Sequence, residues 1–411
     1  MKAIHLLPVA LALGLTAAVA QQPVTITWSY WGDPGELPPF EQIIKNFESA
    51  HPDIKIQVQH APWSGYWTQL DAQLAAKEGP DVMFITNVPT YASRGVLEPL
   101  EPYLAKSKVN WKQYNEDLLG IFKYQGKVYG YPRDNDTSVL YYNKDAFDAA
   151  KVAYPTDKWR WSDMVAAAQK LTQRDGDRVS RYGIALEDNK WPVFVYQNGA
   201  SAFDDPVAPT KFTLNSAKGV AAIQFIGDLI NKQKVAPSFQ SMKQIGDTTQ
   251  LFMSGLSAMT MTNAARLGTF KDAKFKWGVA ALPSGPTGIR ANSGGGAGFA
   301  MNAFSKHKAE AWTLLEYVMG AEGQTVFAKG GTSVPAMSKN ATVRAAFEVP
   351  FKDVFLDETA NAKLLNFFPK YVQIRDTLLQ PALDLVWNGQ STAKSVINQA
   401  LADKINAELK K

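Results

Sequence analysis

Apolar residues recur with two different periods along the first hundred positions of the chain. Val24, Ile26 and Trp28 alternate with polar neighbours, which predicts a strand over 24–29, ended by the turn residues Gly32, Asp33, Pro34 and Gly35. Phe40, Ile43, Ile44 and Phe47 then fall at i, i+3, i+4 and i+7, one face of a helix that stops before His51 and Pro52. A strand over 54–58, a helix through Trp67, Leu70 and Leu74, and a strand over 82–86 follow. Strand, helix, strand, helix, strand predicts a parallel α/β sheet. Ligands of such sheets sit beyond the carboxyl ends of the strands, which makes Trp31, Asp33, Glu36, Trp63, Tyr66, Thr86 and Asn87 the candidate mouth.

Farther on, two extended runs, 127–131 and 137–143, flank the polar knot Arg133, Asp134, Asn135 and Asp136, as in a strand leaving one sheet and entering another. An ordinary hairpin has the same pattern. Ser216 is placed to cap a long helix, and 251–261 reads as a short helix, a glycine turn and a strand. A strand over 276–280 precedes 282–286, the most loop-like stretch, taken as a second crossing between domains. Gly294, Gly295 and Gly296 lead into a strand over 299–302 and a helix around Trp312; a third crossing is expected near 332–335, before two closing helices.

The segment GKVYGYPRDNDTSVLYYNKDAF, with FESAHPDIKIQVQ and GPDVMFITN before it and SKHKAEAWTLLEYVM after it, resembles the family 1 extracellular solute-binding proteins, the maltose-binding-like receptors of bacterial ABC importers. The resemblance spans essentially all of the chain after residue 20. It implies an α/β, two-lobed periplasmic-binding-protein fold of type II, each lobe a mostly parallel sheet flanked by helices, with three crossings between lobes. The corresponding boundaries are 21–133 with 282–334 for the N-terminal lobe and 134–281 with 335–411 for the C-terminal lobe. It also implies that an acid in the knot touches the ligand; counted from Pro132 to Tyr141 and Tyr142, Asp136 takes that place ahead of Asp134. Asn263 would face the cleft, and Gly295 and Gly296 would let backbone approach the ligand. Phe368 stands where many relatives carry a sugar-binding arginine before proline, a departure that suggests apolar stacking and leaves the sugar open.

A length of 411 residues favours two domains. The absence of cysteine removes disulfides, thiolate metal sites and cysteine nucleophiles. Residues 1–20, with Lys2, an apolar run and Ala18-Val19-Ala20, read as a secretory leader, and with no cysteine behind it to accept a lipid, a freely diffusing periplasmic protein is expected. A formal charge of +5 without basic blocks argues against nucleic acid.

The 11 Trp and 15 Tyr matter because sugars offer C–H faces to aromatic rings and hydroxyls to planar polar groups. Trp31 beside Asp33 and Glu36, Trp63 near Tyr66, and Trp191 ahead of Gln197 and Asn198 provide that pairing, while Trp28, Trp277 and Trp312 read as core. Asp134 and Asp136, two apart on an extended chain, point the same way and leave no room for a glycosidic bond between them. A solvated turn is the other reading of the pair. The scattered His51, His60 and His307 do not form a metal set, and the glycines lack the GxxxxGK[ST] pattern of a phosphate loop.

The expected function is therefore capture of a sugar or oligosaccharide between two lobes and its delivery to an ABC permease, by a monomer with no cofactor, metal or catalytic group. An anionic solute such as glycerol phosphate is the alternative ligand, for which Arg133 and Arg266 are the candidate cations. A secreted glycosidase is the alternative of another class.

Overall fold

The computed structural model describes residues 22–32 and 34–411, without the side chains at 63, 64, 116, 117 and 243. The leader over residues 1–20, Asp33 and the ring of Trp63 lie outside the described residues. The first sheet places β1 (Val24–Trp31) between β2 (Ile54–Ala61) and β3 (Val82–Ile85), parallel to both. Beyond β3 lie Gly298–Met301 and then Tyr131–Pro132. Helix α1 (Pro38–Ala50) starts on two prolines, tolerated because first-turn N–H groups have no partner inside a helix. It buries Phe40, Ile43 and Phe47, the predicted face, leaving Ile44 half-buried. Phe40 stacks on Tyr30 at 4.1 Å and meets Trp28, which also touches Phe299. Each such ring contributes about 1.5–3 kcal/mol by leaving water.

The second sheet differs from the mostly parallel expectation. Ser138–Asn143 lies between Met259–Asn263 and Trp277–Ala280 and is antiparallel to both. The cause is where the chain enters. Ser138–Asn143 arrives from the first sheet and runs away from the junction, whereas its neighbours run toward it, so the ladders are antiparallel. Parallel pairing survives at the single bridges Tyr182 to Ser257, Ala185 to Thr260 and Arg160 to Ser284. Gly298–Met301 enters the first sheet in the same fashion and is antiparallel to β3.

Two hydrophobic cores follow. The first gathers Ile26, Trp28, Phe84 and Phe299, extends through Ala336, Met337 and Phe347, and continues by way of Phe355 onto the Tyr141, Phe252 and Phe270 face of the second sheet; the second gathers Leu140, Ile184, Phe194, Leu251, Phe368 and Trp387. We place two of the expected boundaries differently. The helix Ala341–Ala346 still packs on Ala321–Gly330 of the first lobe, whereas Phe351 meets Trp277 at 5.5 Å and Phe355 meets Tyr141 at 6.3 Å on the second sheet, so the third crossing falls near 349–351. The loop 282–286 belongs to the second core's side, since Leu282 is buried there and the Ser284 N–H donates to the Trp159 carbonyl at 2.8 Å. Proline and glycine mark a surface turn at that point; the crossing itself comes at 292–297, where regular extended pairing resumes.

Candidate functional site

Two short ladders form the junction between the cores. Asp134–Asn135 pairs antiparallel with Val334–Pro335, and Asn292–Gly294 pairs parallel with Ala362–Leu364. Side chains fasten these passes at both ends. On the first-core side the Arg133 N–H donates to the Ala297 carbonyl at 2.8 Å, and the Arg133 Nε donates to Asp134 Oδ2 at 2.7 Å. Asp134 Oδ1 accepts from the Ala297 N–H at 3.0 Å. The Arg133 guanidinium lies over the rings of Phe84, Phe40 and Phe327, at 4.9, 5.8 and 5.6 Å. Burial pushes the Asp134 carboxyl above the ordinary aspartate range, and the Arg133 charge pulls the other way.

On the second-core side, fully buried Asn292 accepts from the Ser138 N–H at 3.0 Å and donates to the Ser138 carbonyl at 2.6 Å and to Glu358 Oε2 at 2.8 Å. Glu358 Oε1 accepts from Arg290 at 2.7 Å. Burial raises the Glu358 carboxyl, against the pull of Asn292 and Arg290. Three passes of the chain are thus tied by one amide and one carboxylate.

Between these fastenings the polar surface opens. Asp136 is exposed, its N–H bound to the Gly295 carbonyl at 2.6 Å and its Oδ1 accepting from the Asn263 amide at the end of the strand Met259–Asn263. Tyr141 donates its hydroxyl to the Asn263 carbonyl at 3.0 Å. A Cβ at Gly295 would touch Leu365 and Phe367, at 3.4 and 3.5 Å, so the half-buried Phe367 ring stands beside the same strand. From the first lobe, Asn87 follows β3, its Oδ1 sealed from solvent without a partner, and Thr90 sends its hydroxyl to the Pro369 carbonyl at 3.5 Å.

Residues 31–325 match the model of the family described as bacterial extracellular solute-binding protein. The chain belongs to that family. It is similar to an ABC substrate-binding protein from Listeria monocytogenes solved in complex with cycloalternan, with a TM-score of 0.84 and 27% identity, over 95% of this chain and 100% of that one. A putative binding protein of Brucella abortus strain 2308 is 25% identical over 91% of this chain and 90% of its own. The sn-glycerol-3-phosphate-binding periplasmic protein UgpB of Escherichia coli K12 is 24% identical over 98% and 96%. The Listeria structure shares the two-lobed architecture, and the junction just described is the seam between the lobes of this solute-binding protein.

The seam sorts the residues singled out in the sequence. Asp136, Asn263 and Gly295 come together there. Gly296 sits there for another reason, because its Cβ would lie 2.1 Å from the Asp134 carbonyl oxygen. Asp134 itself is buried and held by Arg133 and Ala297, so it fastens the seam and does not face a ligand. Trp31 ends β1 half-buried, edge-on to Phe84 at 5.4 Å, and Glu36 is half-buried in the single turn Pro34–Glu36. Tyr66, Trp191 and Phe368 turn inward. Tyr66 donates to the Phe84 carbonyl at 2.8 Å inside the first lobe, and Trp191 is buried in the second core. Phe368 packs on Phe203 and Tyr371, at 5.0 and 5.4 Å. Successive side chains of an extended segment point to opposite sides, so the ring at the seam is that of Phe367, one position earlier.

Arg133, a candidate cation for an anionic ligand, is likewise engaged by Asp134 and the three rings. Sequence reasoning missed Thr90, Phe367 and the Asn292–Glu358 tie; the last leaves no local pattern because its members are far apart in the chain. An open cavity of about 620 Å3 lies away from the seam, against Trp161, Gln224, Phe225 and Asp228 of the second lobe. The Trp161 N–H and the Gln224 amide already have partners there.

Proposed function

We propose that this solute-binding protein captures a neutral sugar or oligosaccharide between its lobes in the periplasm and hands it to an ABC permease without chemical change. The observation that carries the reading is the exposed Asp136 carboxylate joined to the Asn263 amide, two planar polar groups on the seam beside the Phe367 ring. That combination suits a pyranose, whose hydroxyls take multidentate hydrogen bonds while a C–H face covers a ring. The cycloalternan held by the Listeria relative supports the same ligand class. Within the lobe division proposed here, the first lobe comprises 22–132 with 298–349, and the second 138–291 with 351–411. Closure follows from differential contact, because a ligand that touches both lobes only in the closed form shifts the population toward it.

The E. coli relative favours a second reading, an anionic glycerol phosphate. Engagement of Arg133 by Asp134 and the nearness of the Asp136 charge weigh against it. A thermal-shift panel of mono-, di- and trisaccharides, cycloalternan and sn-glycerol 3-phosphate decides between them, since a ligand of the folded form raises its melting temperature. A saccharide shift with the sugar recovered intact is expected. A shift by glycerol phosphate alone, or release of hydrolysis products, overturns the proposal.

A further inference from the structure

We infer that Arg266 is a ligand-reading residue of the cleft, donating to one hydroxyl of a sugar whose adjacent hydroxyl donates to Asp136. The inference rests on the saccharide reading above and names the groups that would enforce it. Among the described residues, the other buried or half-buried arginines all have an acceptor. Arg133 has Asp134, Arg181 the Leu171 carbonyl, Arg290 Glu358 and Arg375 Asp376. Arg266 is half-buried too, yet its Nε is sealed from solvent with no acceptor. A guanidinium cannot shed its proton to relieve this, and among the described residues its terminal N–H groups have no acceptor either, so the half-exposed end of the side chain is the part open to an acceptor from outside the chain.

Its position says what the acceptor would be. Arg266 ends the single turn Ala264–Arg266, which is capped by Asn263, whose side chain accepts from the Ala265 N–H at 3.2 Å. The same Asn263 holds Asp136 Oδ1 through its amide, and its carbonyl takes the Tyr141 hydroxyl. Burial raises the Tyr141 phenol, and the Arg266 charge opposes that rise, which places the guanidinium in the same neighbourhood. Asn263 thus stands between a cationic donor and a carboxylate whose second oxygen has no partner among the described residues. A phosphate or carboxylate ligand drawn to Arg266 would meet the Asp136 charge. Two neighbouring hydroxyls, each able to donate and accept, satisfy both groups at once.

The test uses the full-length exported protein and calorimetric titration with maltotriose, cycloalternan, glucuronate and sn-glycerol 3-phosphate at low and high salt. The proteins compared are wild type, Arg266→Gln, Arg266→Lys and Asp136→Asn. Wild type is expected to bind a neutral saccharide with little salt dependence. Arg266→Gln should weaken it about ten- to a hundredfold, the range for a hydrogen bond to a charged group, with Arg266→Lys between the two. The melting temperature of ligand-free Arg266→Gln should match wild type, which separates lost contact from lost folding. Saccharide affinity unchanged in Arg266→Gln overturns this inference and leaves the proposed function standing. Tight, salt-sensitive glycerol phosphate or glucuronate binding, strengthened in Asp136→Asn, also overturns it. Wild type that binds no saccharide in the panel overturns both.

Discussion

Gly295 and Gly296 are adjacent and alike in sequence, yet alanine at the two positions should act in opposite directions. At Gly296 a Cβ would lie 2.1 Å from the Asp134 carbonyl oxygen and 3.1 Å from its Oδ1. Non-bonded atoms settle near 3.5 Å, so the two passes must part by roughly an ångström. That separation breaks the 3.0 Å bond from the Ala297 N–H to Asp134 and weakens the 2.8 Å bond from the Arg133 N–H to Ala297. A charge-assisted bond together with a neutral one is worth about 2 to 4 kcal/mol. At Gly295 the added methyl meets Leu365 and Phe367 at ordinary contact distance, and the backbone does not have a positive φ. The reduced freedom of the unfolded chain then favours the variant by about 0.4–1 kcal/mol. Urea unfolding of the two variants and wild type, followed by tryptophan fluorescence, measures the difference. Wild-type stability in Gly296→Ala, or a larger loss in Gly295→Ala, refutes the geometry.

Asn292→Ala should cost on the order of 3 kcal/mol, because it leaves the Ser138 N–H and carbonyl and Glu358 Oε2 buried without their Asn292 partner while Arg290 still holds Oε1, and a fall of less than 1 kcal/mol in unfolding free energy would sink the idea of a tie. Glu358 has a folded-state pKa raised above its unfolded value, so its contribution is complete below the unfolded value and disappears as the pH rises through the folded one. Wild type should therefore gain stability relative to Glu358→Gln as the pH falls from neutral toward the ordinary glutamate range; thermal melts at stepped pH showing a constant gap exclude this. Phe368→Ala should destabilise by about 3–5 kcal/mol as a core truncation, whereas Phe367→Ala should cost less and instead weaken saccharide binding. Titration and melting of both variants test the pair, and the reverse pattern restores Phe368 to the cleft.

How far the sequence could be read follows the range of the interactions involved. The face of α1, the cap at Ser216 and the alternation of strands and helices that opens the first lobe depend on spacing within a few residues, and each is legible. Asp136 and Asn263 could be named only through the family resemblance, which aligns them with its cleft residues; the local pattern of the knot alone is equally that of an ordinary turn. The direction of the second sheet could not be read from periodicity, since alternation is the same in parallel and antiparallel ladders. Nor could the crossing we place at 292–297, which is polar and regular, compete with the proline-rich loop at 282–286 for attention. Tyr66 and Trp191 look like binding residues beside turns, and only the fold shows that their rings face inward. Phe368 fails by one position, the smallest error possible in an extended segment and enough to reverse the side chain.

The two sets of fastenings also say where the lobes can turn. Arg133, Asp134 and Ala297 hold the passes on one side, and Ser138, Asn292 and Glu358 hold them on the other. On two of the passes the residues between the fastenings are 135–137 and 293–296, where Asn135 and Thr137 carry buried polar atoms with no partner among the described residues. Unpaired groups in the swivel cost stability in this state and are free to find partners in another. Across the mouth, the contact from Thr90 to Pro369 at 3.5 Å is at the limit of a hydrogen bond and adds little to closure. Among the described residues no stronger hydrogen bond crosses there, which leaves the decisive contacts to the ligand. A rigid seam around a short swivel, with a weakly bonded mouth, makes occupancy of the cleft the variable that sets the closed population.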